Sequence, residues 1–306
     1  MCCSKHTYKL LVLSKVKGIN SKKLKLISQL NDFHTKRVDY KKVAELILQK
    51  EVDPLHIKMA IKLAKYDKKE AKKHGVKIIS FLDEDIPIFM EFMDNTPAIL
   101  YIKGSWHKEN RYIGIVGTQN PTEDGKKSAE KISEEFSKKK YSIVSGLAAG
   151  CDTIAHTVAL KNKVYSVGVL EHSFETKMAK ESEKLAKKIL DNGGILVTQY
   201  PFGITPKAFS YMQKNRLQAL LSEAVVLVQA SLKSEALYFA KTILQEGQKL
   251  FVVPPSQKDT DNNEVNIEVN QVIVSKDSYE IKKLLFCDCK TLQNIIIMEN
   301  KNDRYS

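Results

Sequence analysis

The sequence predicts an α/β protein: an extended Rossmann-like parallel sheet with helices on both faces, preceded by a small all-helical domain of SAM or helix-hairpin-helix type. Three observations lead there. From Tyr112 onward, short runs of Val, Ile and Leu alternate with amphipathic helical patterns, which is how strands buried on both faces of a parallel sheet read. Up to Lys73 the apolar residues instead recur at i, i+3 and i+4. A length of 306 residues suits one large domain with a smaller companion. The expected division is a basic helical domain over 1–73, a Rossmann-like core over 74–275 and a short tail over 276–306.

Taken in order, LLVLSKVKGINSKKLKLISQL gives two short amphipathic helices joined by VKGIN, and VAELILQK and HIKMAIKLAKY continue the pattern. A Gly turn between helices, with lysines after it, has the outline of a hairpin whose turn amides meet a DNA phosphate. Asn20 stands where a second Gly is usual, and Asn tolerates left-handed geometry. A plain helical bundle fits the same residues. VKIISF (from Val76) and AILYIKG (Ala98–Gly104) read as strands around a DEDIPIF loop. The strands YIGIVG, YSIVSG, VYSVGVL, GILVTQY, VVLVQA and KLFVVP follow. Between them lie the helices TEDGKKSAEKISEEFSKK, CDTIAHTVALK, ETKMAKESEKLAKKILDNG, QKNRLQALLSEA and SEALYFAKTILQEG. After Pro255 the chain turns polar (QKDTDNNEVN) and ends in a short apolar piece and a charged tail that the pattern does not place.

Lys and Arg number 49 against 36 Asp and Glu, a net charge of +13, which favours a polyanionic partner through counterion release. A lysine-rich background gives the same figure. No apolar run approaches the ~20 residues of a membrane span. The LLVL of Leu10–Leu13 is too short for a signal-peptide core, so a soluble, unexported, cytoplasmic protein is expected. Five cysteines, an odd number, predict reduced thiols, and Cys287 and Cys289 are too close together for the usual zinc spacing. Neither metal nor cofactor is expected.

Ligands of open α/β sheets bind beyond the carboxyl ends of the strands. That rule selects VGTQNP (Val116–Pro121), SGLAAGCD (Ser145–Asp152), VQASLKSE (Val228–Glu235), VVPPS and the stretch PFGITPKAFSYMQKNR. None is a Walker loop or a dinucleotide fingerprint. They offer Gly, Ser, Thr and amide groups at helix N-termini, with Lys214, Arg216 and Lys233 nearby, a set suited to phosphate oxygens. Asp152 and His156, at i and i+4, form either an acid/base pair or a structural support, with Asp152 capping its helix and His156 bonding in the sheet–helix seam. The second reading is favoured. With no GxSxG elbow, no catalytic residue is assigned.

GIVGTQNPTEDG, IVSGLAAGCDTIAHTVAL and FSYMQKNRLQALLSEAVVLVQASLKSEALYFA, in that order, resemble the DNA-processing protein A (DprA/Smf) family, over roughly Leu10–Val274. The resemblance implies a core that binds single-stranded DNA without base specificity and protects incoming strands. It also implies loading of a RecA-type recombinase in natural transformation or recombination, as a homodimer and without catalysis. On this chain the implied DNA- and phosphate-binding residues are Gly117, Thr118 and Gln119, then Ser145, Gly146 and Gly150. Lys214, Asn215 and Arg216 follow, with Lys233 and Ser234. Asp152 and His156 are expected to hold the turn in shape.

The chain departs from the family pattern in three places. The family's G-[ST]-R carries Gln119 for Arg, and its RNR block reads Lys214-Asn215-Arg216. Its E-x-x-x-x-S-G-S loop begins at Gln229 and has Glu235 in place of Gly. Losing one cation and gaining one anion removes about two units of salt slope. Two other readings stay open: a nucleotide-binding or nucleotide-sensing Rossmann-like protein, and an interaction protein that keeps only a dimer or recombinase surface.

Overall fold

The computed structural model describes residues 2–84, 86, 96–204, 210–285 and 292–298. Part of DEDIPIF, the stretch 205–209, both CDC cysteines and the charged tail lie outside them. The chain divides into two compact units: Met1–Lys108 with His172–Lys177 and Val197–Pro206, and Glu109–Glu171 with Met178–Leu196 and Lys207–Ser306.

The first unit is built from α1 (Lys5–Ser14), α2 (Ser21–Ile27), α3 (Asn31–His34), α4 (Tyr40–Leu48) and α5 (Pro54–His74), with β1 (Lys77–Ser80) and β2 (Ile99–Lys103). Each long helix has a readable start. Ser4 and Asp39 accept backbone N–H bonds at the heads of α1 and α4. Asp53 caps α5, Pro54 occupies its first turn, and Gly75 ends it in the left-handed region at φ 65°. Leu10, Leu11, Val12 and Leu13 are all fully buried, so LLVL is core. The turn between α1 and α2 differs from expectation. Gly18 takes the positive φ (94°), while Asn20 is extended and its side chain caps α2 by accepting from Lys23 N at 3.0 Å. β1 and β2 pair antiparallel, with Lys77 opposite Ile102. Beneath them Tyr101 donates to the buried Asp67 at 2.7 Å, and Lys15 pairs with the same carboxylate.

The chain continues with β3 (Arg111–Val116), α6 (Glu123–Lys138), β4 (Tyr141–Ser145), α7 (Cys151–Lys161), β5 (Ser166–Val169), α8 (Lys180–Asp191), β6 (Ile195–Thr198), α9 (Ser210–Leu220), β7 (Ala224–Leu227), α10 (Glu235–Gln245) and β8 (Lys249–Val252). It closes with α11 (Gln257–Asp261), α12 (Glu268–Val274), α13 (Ser278–Leu285) and β9 (Ile295–Ile297). Strand order is β6-β5-β4-β3-β7-β8-β9, and β3 pairs parallel with both β4 and β7. The chain therefore builds outward from β3 in both directions, which opens a crevice at the carboxyl ends of β3 and β7.

Alternate strand residues enter opposite cores, the two-residue period of a sheet covered on both faces. Val225 and Leu227 pack with α10, α12 and α13, whereas Val226 and Val228 pack with α6 and α7.

Three local readings change. The helix expected from Glu175 begins at Lys180, because Thr176 N closes a turn onto Ser173 O. The polar stretch after Pro255 forms α11, a 3-10 turn and α12. The terminal apolar piece is an edge strand, with Leu250 opposite Ile295. Among the described residues no helix is long and apolar enough to cross a membrane.

Candidate functional site

At the switch point of the second unit lies a cleft of about 290 Å³, lined from four separate segments. The loop after β3 supplies Gly117, Thr118, Gln119 and Asn120; Ala148 and Asp152 come from the β4–α7 region. From α9 come Lys214, Asn215 and Gln218, while Lys233, Ser234 and Glu235 lie at the head of α10.

The β3 loop is held tightly and from behind. Thr118 N donates to Gln229 O at 2.8 Å, and Cys151 N donates to Thr118 O at 3.3 Å. A Cβ at Gly117 would lie 2.5 Å from Cys151 Sγ, so only glycine fits. Gly150 has φ 78°, and a Cβ there would strike the carbonyl oxygens of Gln119 and Thr118 at 2.4 and 2.5 Å. These two glycines allow two loops to touch. The amides of Thr118, Asn120 and Cys151 are spent on internal bonds.

The β4–α7 turn is equally self-contained. Ser145 is fully buried and donates to Ile115 O at 2.6 Å. The side of Gly146 faces Asp152 Oδ2, 2.5 Å from where a Cβ would sit. His156 is fully buried between Gly146 O (2.8 Å from Nε2) and Ser166 Oγ (2.6 Å from Nδ1). A carbonyl can only accept, so Nε2 carries the proton and Nδ1 accepts from the hydroxyl. Burial lowers its pKa to about 4, so the ring is neutral and bridges β4 to β5. Burial also raises the Asp152 carboxyl, against the pull of Lys214. Asp152 is not the cap of α7; that position is Gly150, and Asp152 sits inside the first turn. Burial pushes the Cys151 thiol up to about 12, which removes it as a nucleophile.

On α9, Lys214 is 9% exposed, with Nζ 3.7 Å from Glu171 Oε2. Arg216, two residues on, lies outside the cleft lining and pairs with Glu246 at 2.6 Å. Lys233 is exposed, and Ser234 begins α10 with its hydroxyl donated to Ser231 O at 2.7 Å. The structure thus gathers Gly117, Thr118, Gln119, Asp152, Lys214, Asn215, Lys233 and Ser234 around one cleft. It leaves Ser145, Gly146, Gly150 and His156 behind it, and Arg216 aside.

Sequence reading missed two groups. Gln218 lines the cleft three residues beyond Asn215; a lone polar residue in RLQALL at helical spacing was its signal. The second group is a polar clamp from α11 and α12. Asn270 donates to the Val228 and Val253 carbonyls at 2.9 Å each and accepts from Ala230 N at 3.0 Å, tying β7 to β8. Gln229 donates to Thr122 Oγ1 and Asp259 Oδ2 at 2.9 and 3.0 Å, and Thr118 Oγ1 donates to Asn266 Oδ1 at 3.2 Å. Gln229, the first residue of the loop that leads to Lys233 and Ser234, faces this clamp.

Fold and cleft together define a Rossmann-like binding protein whose site lies at the carboxyl edge of a parallel sheet. Residues 77–279 match the family model described as DNA recombination-mediator protein A. The chain is also 32% identical over 214 residues to the DNA processing protein DprA of Bacillus subtilis, covering 69% of this chain and 70% of that one. This protein belongs to the DNA recombination-mediator protein A family. It spans less than half the length of two further curated relatives, both named Smf. In fold it is similar to DNA processing protein A from Streptococcus pneumoniae, with TM-score 0.67 and 20% identity over 88% of this chain and 97% of that one. It is similar also to DNA processing protein A from Helicobacter pylori, described with a single-stranded DNA binding mode (TM-score 0.55, 24% identity, 65% of this chain and 87% of that one).

Proposed function

We propose that this protein binds single-stranded DNA without base specificity at the switch-point cleft, with the backbone crossing the rim at Lys233 and Lys214. The observation that carries the reading is the convergence of four separate segments, two of them bearing lysines, on one cleft beyond β3 and β7. The net charge of +13 supports a polyanionic ligand. The DNA-binding mode described for the Helicobacter pylori protein supports a single strand as that ligand. The protein acts by binding, not catalysis: His156 has both ring nitrogens engaged and Cys151 is buried. We further propose that the protein, as a homodimer, delivers the bound strand to a RecA-type recombinase in transformation or recombination; the family's description as a recombination mediator supports a role in recombination.

The test is fluorescence anisotropy with oligonucleotides of unrelated sequence across a salt series. Affinity should be similar for all of them and fall linearly on a log–log plot. Lys233→Ala should reduce the slope by about 0.7, the share of one single-strand phosphate contact. A flat salt response, or no binding at low salt, overturns the proposal.

A further inference from the structure

Helix α5 in the first unit carries a surface that the core does not use. Leu55, Met59, Leu63 and Tyr66 recur along it at intervals of four, four and three residues, which sets them in one row, and each is between 42% and 65% exposed. Single exposed apolar residues are ordinary; four large ones in register on one helix mark a contact surface. The opposite face of α5 is committed to the core through Ile57, Ala60, Ala64 and Ala71. Helices α6 and α8 expose no large apolar side chain among the described residues.

A second row runs beside the first. Lys58, Lys62 and Lys69 stand three residues after Leu55, Met59 and Tyr66, with Lys65 between them, and all four are exposed. The helix has two acids, and both are buried: Asp67 pairs with Lys15, and Glu70 with Lys73. On α6 and α8, by contrast, acids of the same helix stand at the surface beside lysines, Glu123 with Lys126 and Glu181 with Lys184. The outer face of α5 is therefore an apolar row flanked on one side by positive charge that its own acids do not offset.

The two rows together narrow the occupant. A nucleic-acid backbone would use the lysines and leave Leu55, Met59 and Leu63 in water. A bilayer surface takes an apolar sector broad enough to sink below the headgroups, whereas this row is one side chain wide. Another helix fits both rows. Intervals of four and three form the ridge that seats in a facing helix's groove, and acidic residues beside the partner's own apolar row would meet the lysines. From Leu55 to Tyr66 the ridge is about 16 Å long, enough for three turns of a partner.

We infer that the outer face of α5 docks an acidic amphipathic helix of a partner protein. Its apolar side chains seat on Leu55, Met59 and Leu63, and its carboxylates face Lys58, Lys62 and Lys65. None of these residues lines the cleft, so the inference stands or falls apart from DNA binding.

The test titrates the full chain with a labelled three-heptad peptide that has leucine at the first and fourth position of each heptad and glutamate at most others. A scramble of the same composition, which breaks the leucine row, is the comparison. Wild type should bind the patterned peptide about tenfold more tightly than the scramble, and more weakly as salt rises. Met59→Ser with Leu63→Ser should bring that ratio towards one without moving the thermal midpoint, because both side chains are exposed. Lys62→Gln with Lys65→Gln should weaken the patterned peptide and flatten its salt response. Equal binding of the two peptides, or a ratio that the double serine variant leaves unchanged, overturns the inference. Adsorption to phosphatidylserine vesicles in place of peptide binding, lost in that variant, overturns it in favour of a membrane surface. Self-association in sedimentation, lost in the same variant, overturns it in favour of a second copy of this chain.

Discussion

Asn270 and Gln218 are amide side chains of similar burial in the same unit, 1% and 2% exposed, yet their hydrogen bonding is opposite. Asn270 makes three bonds that tie together the ends of β7 and β8. Gln218 Nε2 makes none. The difference separates the two ways a buried polar group persists. A group with all its partners inside the chain is a strut, and its removal is felt in stability. A group whose partners are missing costs stability while it waits, and its removal is felt in binding.

Substitutions and pH sharpen that contrast, beginning with the clamp. Asn270→Leu strands two carbonyls and an amide in the core and should cost about 4 kcal/mol, read as a fall in the urea midpoint. His156 should show itself through pH. Its folded pKa, about 4, lies below the 6.5 of a free histidine. Its contribution is therefore complete above pH 6.5 and is lost as pH falls towards 4, a loss of about 3 kcal/mol. Urea titrations at a series of pH values should show this slope in wild type and a flatter one in His156→Gln. Gln229→Glu sets a second carboxylate against Asp259, where Nε2 now donates at 3.0 Å. It should cost about 2 kcal/mol at neutral pH, partly recovered in acid where the pair shares a proton. Arg216→Ala should be mildest, under about 1 kcal/mol in stability with DNA affinity unchanged, because its guanidinium serves Glu246.

The same contrast explains what the sequence made legible. Strands such as VVLVQA and helices such as SEALYFAKTILQEG were readable because burial on both faces, or on one, leaves a hydropathy period. Helices α11 and α12 were not, because Asp259 and Asn270 bury polar atoms by bonding them, and hydropathy registers only their polarity. The three isoleucines of β9 had no visible partner until β8 was in place. For the cleft, the topology rule pointed to the ends of β3, β4 and β7, whose loops line it, and also to VVPPS, which does not. Side-chain direction lay beyond it: which face of α9 turns inward decides that Gln218 lines the cleft and Arg216 does not. At Asn20 the turn uses the side-chain oxygen as a helix cap, a role that its tolerance of left-handed geometry does not reveal.

The most direct measurement is the thermal midpoint of ligand-free Gln218→Met beside that of wild type. If the unpaired amide on α9 is there for a ligand, the variant should melt at the same temperature or a few degrees higher. A fall comparable to that of Asn270→Leu would make Gln218 a strut as well and contradict the account.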